Sequence, residues 1–207
     1  MSITPQEAAR PQLHIGPADH GRPLTWAEFL AAEEEEGHRY ELARGVLEVS
    51  DIPKPRHRRT VANLFRLAAA YDRDHPGLID YFGGGTEIRT AIPQIDLARH
   101  PDFGIVFRNA PLDDVGDLRP VMVAEVVSPS SKTRDYQAKR RDYLDYGIPE
   151  YWIVDSLHGQ VTVLVRQGEG TNVTWSERVF RGNDVIESPS LPGLTATVAD
   201  LWKGVAD

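Results

Sequence analysis

Glu125 interrupts an apolar run, Val121-Met122-Val123-Ala124 before it and Val126-Val127 after it, that otherwise reads as a buried strand. An unpaired carboxylate in a central strand is costly, so the residue needs a partner or a task. Ser128-Pro129-Ser130-Ser131 ends the strand: proline cannot continue the ladder, and the serines can cap a helix. A helix is expected from Lys132 to Tyr146, stopped by Gly147. A second apolar strand, Tyr151-Trp152-Ile153-Val154, runs into Asp155. Strand, helix and strand with short connections predict neighbouring strands joined by a crossover helix on one sheet face. On that helix Lys139 follows Tyr136 by three residues and precedes Tyr143 by four, which puts all three on one face. An acid and a base that both point inward suggest a site. The same pattern also fits a buried Glu–Lys ion pair, or a lysine that snorkels past the tyrosines to water.

The formal net charge of −8 argues against a protein that coats nucleic acid by bulk electrostatics, though not against a local basic groove. Two basic clusters stand out. One is Lys54, Arg56, His57, Arg58 and Arg59; the other is Lys132, Arg134, Lys139, Arg140 and Arg141. Such clusters are read either as solvated faces or as phosphate contacts. The absence of cysteine excludes disulfides and thiolate metal sites. No apolar run approaches a membrane span, and a cytoplasmic location is expected. The 207 residues suit a single domain.

Residues 1–23 show no periodicity and read as a flexible tail or an arm lying on the surface, with one domain over 24–207. Thr25 with Glu28 forms a capping box for a helix expected to reach Gly37, with Glu33 to Glu36 as a solvated face. Arg39–Leu42 and Val46–Val49 predict a hairpin with Gly45 at positive φ; Tyr40, Leu42, Leu47 and Val49 line one face and Glu41 points to the other, where the hairpin alone makes it a solvent-exposed strand carboxylate. Three-four spacing predicts a long helix from Arg56 to His75, with His57 in its first turn, where it can help to hold an anion. Strands are expected over Leu78–Phe82 and Glu87–Ile92, on either side of a flexible Gly83-Gly84-Gly85 turn. Pro93 to His100 reads as a loop delivering Asp102 to the start of the strand Phe103–Phe107. Gln160–Arg166 and Val173–Phe180 read as a meander, and Val198–Trp202 as a short terminal helix. The fold class is α+β with an α/β core: helices flanking a mixed sheet, with an antiparallel strand extension.

If the strands carrying Asp102 and Glu125 are neighbours, the two acids can converge on one hard divalent ion, and magnesium suits such oxygen ligands. Lys139 near that ion can orient an attacking water or stabilise charge on a phosphate.

Pro101-Asp102 followed by Glu125-Val126-Val127 resembles the signature of the PD-(D/E)XK nuclease superfamily, with its restriction-endonuclease-like fold. The wider pattern is similar to its Uma-type branch. It comprises Tyr40-Glu41-Leu42 with Gly45, His57, Glu125 to Ser130, Asp135 with Lys139, Tyr143 with Gly147, Glu150 to Asp155, and Leu191-Pro192-Gly193-Leu194. The resemblance runs from about Leu24 to Trp202. It departs from the superfamily at Val127, where the catalytic lysine usually stands; in the Uma-type branch the helix lysine substitutes, which assigns that role to Lys139.

What the resemblance implies is a magnesium-dependent endonuclease acting on DNA, with manganese as a possible substitute. Asp102, Glu125 and the carbonyl of Val126 are the expected metal ligands, and Glu41 is an additional site acid. His57, Arg58, Lys132 and Arg134 are candidates for contacting DNA; Tyr143, Tyr151 and Trp152 are expected to be packing residues. Members of the fold often pair to cut both strands, so a homodimer is expected by analogy. The alternative is a non-catalytic DNA-binding or regulatory module on the same fold.

Overall fold

The computed structural model describes residues 12–205. Residues 1–11 of the stretch read as a tail lie outside that range. Its later part lies along the surface: β1 (His14–Ile15) buries Ile15 against Leu24 and Phe29. Thr25 and Glu28 close the expected capping box on α1 (Trp26–Ala31). That helix ends at Ala31, well before Gly37. Glu33 and Glu34 instead form β2 (Glu33–Glu34), which pairs with β1 in parallel. The acid run would sit at the negative end of a longer helix dipole, and strand pairing removes that conflict.

The hairpin is β3 (His38–Ala43) and β4 (Val46–Asp51), with Arg44 at φ 51° and Gly45 at φ 80°. Both central residues are left-handed, as a two-residue hairpin of this twist requires. Tyr40 pairs with Val49 and Leu42 with Leu47, and these four face the core around Ile15. Strand alternation therefore sends Arg39, Glu41 and Glu48 to the opposite face. The long helix is α2 (Pro55–Asp74), which leads to β5 (Ile79–Gly83).

Two expectations fail in the next segment. Gly85–Glu87 is a 3₁₀ turn, and only β6 (Thr90–Ile92) of the expected strand forms. The expected loop contains a strand, β7 (Leu97–Arg99), which pairs with β6 and with β3. The result is a four-stranded antiparallel sheet in the order β4-β3-β7-β6.

The main sheet adds β8 (Phe103–Phe107) and β9 (Met122–Val126). Residues Arg134–Ala138 form a π-helical turn that runs into α3 (Lys139–Tyr146), so the expected continuous α-helix is bulged just before the lysine. Gly147, at φ 93°, caps α3. β10 (Glu150–Asp155), β11 (Gln160–Gln167) and β12 (Thr174–Arg181) follow, and α4 (Val198–Leu201) ends the fold. The six-stranded order is β12-β11-β10-β9-β8-β5. β9 and β10 are parallel, as the crossover demands; the other neighbours are antiparallel.

Alternation along β9 decides where Glu125 points. Met122, Ala124 and Val126 pack in the core shared with Leu64, Ala68 and Tyr71 of α2. Val123 and Val127 pack with Tyr143 and Tyr146 of α3. Glu125 falls on the α3 side, facing the helix that carries Lys139. Among the described residues no helix is long and apolar enough to cross a membrane.

Candidate active site

Glu125 is buried, and its Oε1 accepts a hydrogen bond from Lys139 Nζ at 2.8 Å. The same oxygen accepts from the Tyr143 hydroxyl. Lys139 Nζ lies 3.1 Å from Glu41 Oε1. Three residues distant in sequence thus meet: Glu41 from β3, Glu125 from β9 and Lys139 from α3. Glu41 is buried, not a solvent-facing strand acid. The Glu–Lys ion pair expected as one alternative is present, and the second carboxylate on the lysine makes it a three-centre cluster.

Asp102 sits one residue before Phe103, whose partner across the β8–β9 ladder is Ala124, one residue before Glu125. Its Oδ2 accepts from the Val126 N–H at 2.9 Å and lies 2.8 Å from His57 Nε2. Its Oδ1 accepts from Arg39 Nη1 at 2.6 Å. Arg39 also donates to the His100 carbonyl at 3.1 Å. His57 Nδ1 is buried and has no hydrogen-bond partner among the described residues.

A third charged group supports the first. Arg99, 1% exposed, contacts Glu41 at 3.3 Å and Glu48 at 2.6 Å through Nη1. It also donates twice to Asp142 of α3. Glu41 Oε1 accepts the His100 N–H at 2.9 Å. Asp135 accepts from Ser131 Oγ, and Tyr151 donates to the Asp135 carbonyl at 2.9 Å.

The electrostatics follow from burial and these partners. Burial pushes the Glu125 carboxyl up, Asp102, Asp135 and Glu41 add to this, and Lys139 opposes it; the result is pushed up to about 8. Burial acts on Glu41 too, but Lys139, Arg99 and Arg134 outweigh it and hold the group well below the usual carboxylate range. Asp102 is likewise held low, because His57, Arg39 and Lys139 overcome its burial. Burial pushes Asp135 up to about 6, against Lys139 and Ser131. Burial disfavours the Lys139 ammonium, yet Glu125, Glu41 and Asp135 hold it above the usual lysine range. Of the two acids facing the lysine, Glu41 stays ionised and Glu125 keeps its proton longer.

Asp102 opens onto a cleft of about 510 Å³. Arg39, His57, Arg58, Gly84 and Gly85 line it on the Asp102 side, and Pro53, Val61, Ala62 and Phe65 form an apolar wall. Arg58 is exposed, and its side chain makes no hydrogen bond or ion pair among the described residues. The other two candidates for DNA contact lie elsewhere. Lys132 is exposed, and Arg134 is half-buried, 3.8 Å from Glu48.

The donor chemistry suits a hard divalent cation, since Asp102 and Glu125 offer carboxylate oxygens and Glu125 Oε2 accepts no hydrogen bond among the described residues. Both oxygens of Asp102 already have donors, and no group of three or more His, Asp or Glu side chains poised to hold a metal occurs among the described residues.

Three participants escaped the sequence reading. Tyr143, expected to be a packing residue, donates its hydroxyl to Glu125; the three-four spacing with Lys139 was the available signal. Arg39 alternates with Glu41 on β3, which was enough to place both on one face. Arg99 stands on the strand mistaken for a loop, and nothing local marked it.

A family described as "Putative restriction endonuclease", Uma2, matches residues 26–199. No curated protein matches the chain. Among solved structures, one described as "a putative nuclease belonging to DUF820" from Anabaena variabilis ATCC 29413 aligns with a TM-score of 0.68 at 19% identity. The alignment covers 89% of this chain and 100% of that one, which establishes a shared fold. With most of its length matched, from the first helix through the start of the last, the chain belongs to the Uma2 family.

Proposed function

We propose that this chain is a divalent-metal-dependent endonuclease that hydrolyses phosphodiester bonds in DNA. The observation that carries the reading is the meeting of Glu41, Glu125 and Lys139, with Asp102 at the adjoining end of the β8–β9 ladder. Membership of the family described as "Putative restriction endonuclease", and the fold shared with a protein described as "a putative nuclease", support it. Asp102, Glu125 and the Val126 carbonyl are the residues to hold magnesium, or manganese in its place. When bound, such an ion polarises the phosphodiester and lowers the pKa of a coordinated water.

The remaining work falls to the chain's own groups. Lys139, fixed by two carboxylates, stays charged and orients the attacking water or takes up charge on the phosphate. Tyr143 and Lys139 together hold Glu125 in one rotamer. Arg39 and His57 position Asp102, while Arg58 offers an uncommitted charge to the DNA backbone. A cytoplasmic enzyme that pairs to cut both strands belongs to the same proposal.

The test is nicking of supercoiled plasmid by the purified chain in magnesium or manganese, against Asp102→Ala, Glu125→Ala and Lys139→Ala. Cleavage by the wild type that each substitution lowers by about 10²-fold or more supports the assignment. Cleavage that survives all three marks a contaminant.

The donors already placed on both oxygens of Asp102 favour a second reading, a DNA-binding module without catalysis. Binding in calcium with no cleavage on adding magnesium would select it.

A further inference from the structure

The cleft beside Asp102 has two unlike sides. One carries charge and backbone: Arg39, His57, Arg58 and the Gly84-Gly85 turn. The other is Pro53, Val61, Ala62 and Phe65. Phe65 stands edge-on to Phe82 at 5.9 Å and to Phe103 at 5.3 Å, so the wall is backed by core aromatics. Gly84 keeps the turn close to the acid: a Cβ there would lie 2.1 Å from the Asp102 carbonyl oxygen.

A DNA duplex presents sugars and phosphates on its outside and keeps its bases stacked within. Such a surface makes use of Arg58 but gains nothing from an apolar wall. An unpaired nucleotide has both parts: a phosphate for the charged side, and a flat apolar base for the wall. The cleft, about 510 Å³, falls within the range of pockets that enclose a small ligand. The net charge of −8 also weakens any broad electrostatic grip on a duplex, so contact with a base carries more of the binding.

We propose that the cleft formed by Arg58, Val61, Ala62 and Phe65 beside Asp102 receives an unpaired deoxynucleotide, its base against the wall and its phosphate at Arg58, so that the preferred substrate is single-stranded or locally unpaired DNA. This rests on the nuclease reading and narrows its substrate class.

The experiment measures fluorescence anisotropy of the full chain in calcium with three labelled probes. They are a single-stranded 12-mer, the same 12-mer with abasic sites throughout its centre, and the 12-mer annealed to its complement. The single strand is expected to bind about tenfold more tightly than either other probe. Ala62→Trp, which fills the wall, is expected to bring its affinity down to that of the abasic probe while leaving the abasic probe unaffected. Equal or tighter binding of duplex or abasic probe overturns the inference, and the comparison uses wild-type protein, so it stands whether or not the variant folds. Plasmid nicking run alongside separates the failures. Metal-dependent cleavage of fully paired DNA together with duplex-preferring binding leaves the nuclease reading in place and removes this inference. No binding to any probe removes this inference, and no binding together with no nicking removes both.

Discussion

Arg99 donates two hydrogen bonds to one oxygen of Asp142, 3.0 Å from Nε and 2.7 Å from Nη2, with both side chains 1% exposed. Its remaining nitrogen, Nη1, reaches Glu48 and Glu41. One guanidinium thus ties α3 to the small sheet and holds the acid that faces Lys139. Replacing Arg99 by Met removes a buried cation shared by Asp142, Glu41 and Glu48, leaving Asp142 to Arg44 and Glu41 to Lys139, and should cost about 3 kcal/mol. Lysine should recover little of this, since a point charge cannot span the fork. Urea titrations of the wild type, Arg99→Met and Arg99→Lys decide it: a lysine variant as stable as the wild type would show that charge alone suffices.

Glu125 makes the fold pH-sensitive in a direction opposite to most acids. Its proton is retained in the folded chain up to about 8, whereas an unfolded glutamate loses it near 4.5. Between those values the native state binds more protons than the unfolded state, so stability falls as pH rises, by up to about 1.4 kcal/mol per pH unit. Asp102 and Glu41 act the other way, and their contribution is lost only as pH falls below the usual carboxylate range. Glu125→Gln keeps an oxygen for Lys139 and Tyr143 and removes the titration. Its thermal midpoint should exceed that of the wild type at pH 7.5, and the difference should shrink toward pH 5. A gap that widens on acidification would reverse the assignment.

If Asp102 holds the proposed metal ion, Arg39 competes with that ion for it, since its Nη1 lies 2.6 Å from Oδ1. Arg39→Gln should therefore bind manganese at least about tenfold more tightly, by removal of a nearby positive charge. Asp102→Ala and Glu125→Ala should abolish the signal. Calorimetry with all four proteins tests the site without reference to DNA. Unchanged affinity in Arg39→Gln would place the ion away from Asp102.

Gly84 should tolerate no side chain. A Cβ would lie 2.1 Å from the Asp102 carbonyl oxygen and 2.8 Å from its carbon, both of them backbone atoms in a buried strand start. Gly84→Ala should destabilise the chain by about 1–3 kcal/mol and shift Asp102. The readouts are the denaturation midpoint and manganese affinity, which should fall together; a stable variant with normal metal binding would contradict the packing.

Much of the site was legible because it breaks a local pattern. Glu125 stood out in an apolar run, and helical spacing turned Lys139 inward without reference to any other strand. The β9–helix–β10 crossover, the hairpin at Gly45 and the cap at Gly147 all rest on short-range rules, and the structure follows them. What stayed hidden depends on contacts far apart in the chain. β7 is three residues long and exists because β3 and β6 offer it partners, so a window centred on it reads as a loop. The burial of Arg99 follows from that strand. Glu41 looked like an exposed acid because the helix that covers it comes nearly a hundred residues later.

The π turn over Arg134–Ala138 carries one residue more than an α-helical turn would use. Before it, the Ser128–Ser131 turn is fixed to the end of β9, with Ser131 bonded to Asp135. After it, Lys139 and Tyr143 are fixed to Glu125. The surplus residue sets the phase between these two anchors. An uninterrupted α-helix would turn one anchor relative to the other by about 100° and satisfy only one of them. A lysine borne on a helix, unlike one borne on the strand beside its acid, is located by arithmetic: the number of residues between Glu125 and Lys139 is as much a part of the site as either side chain.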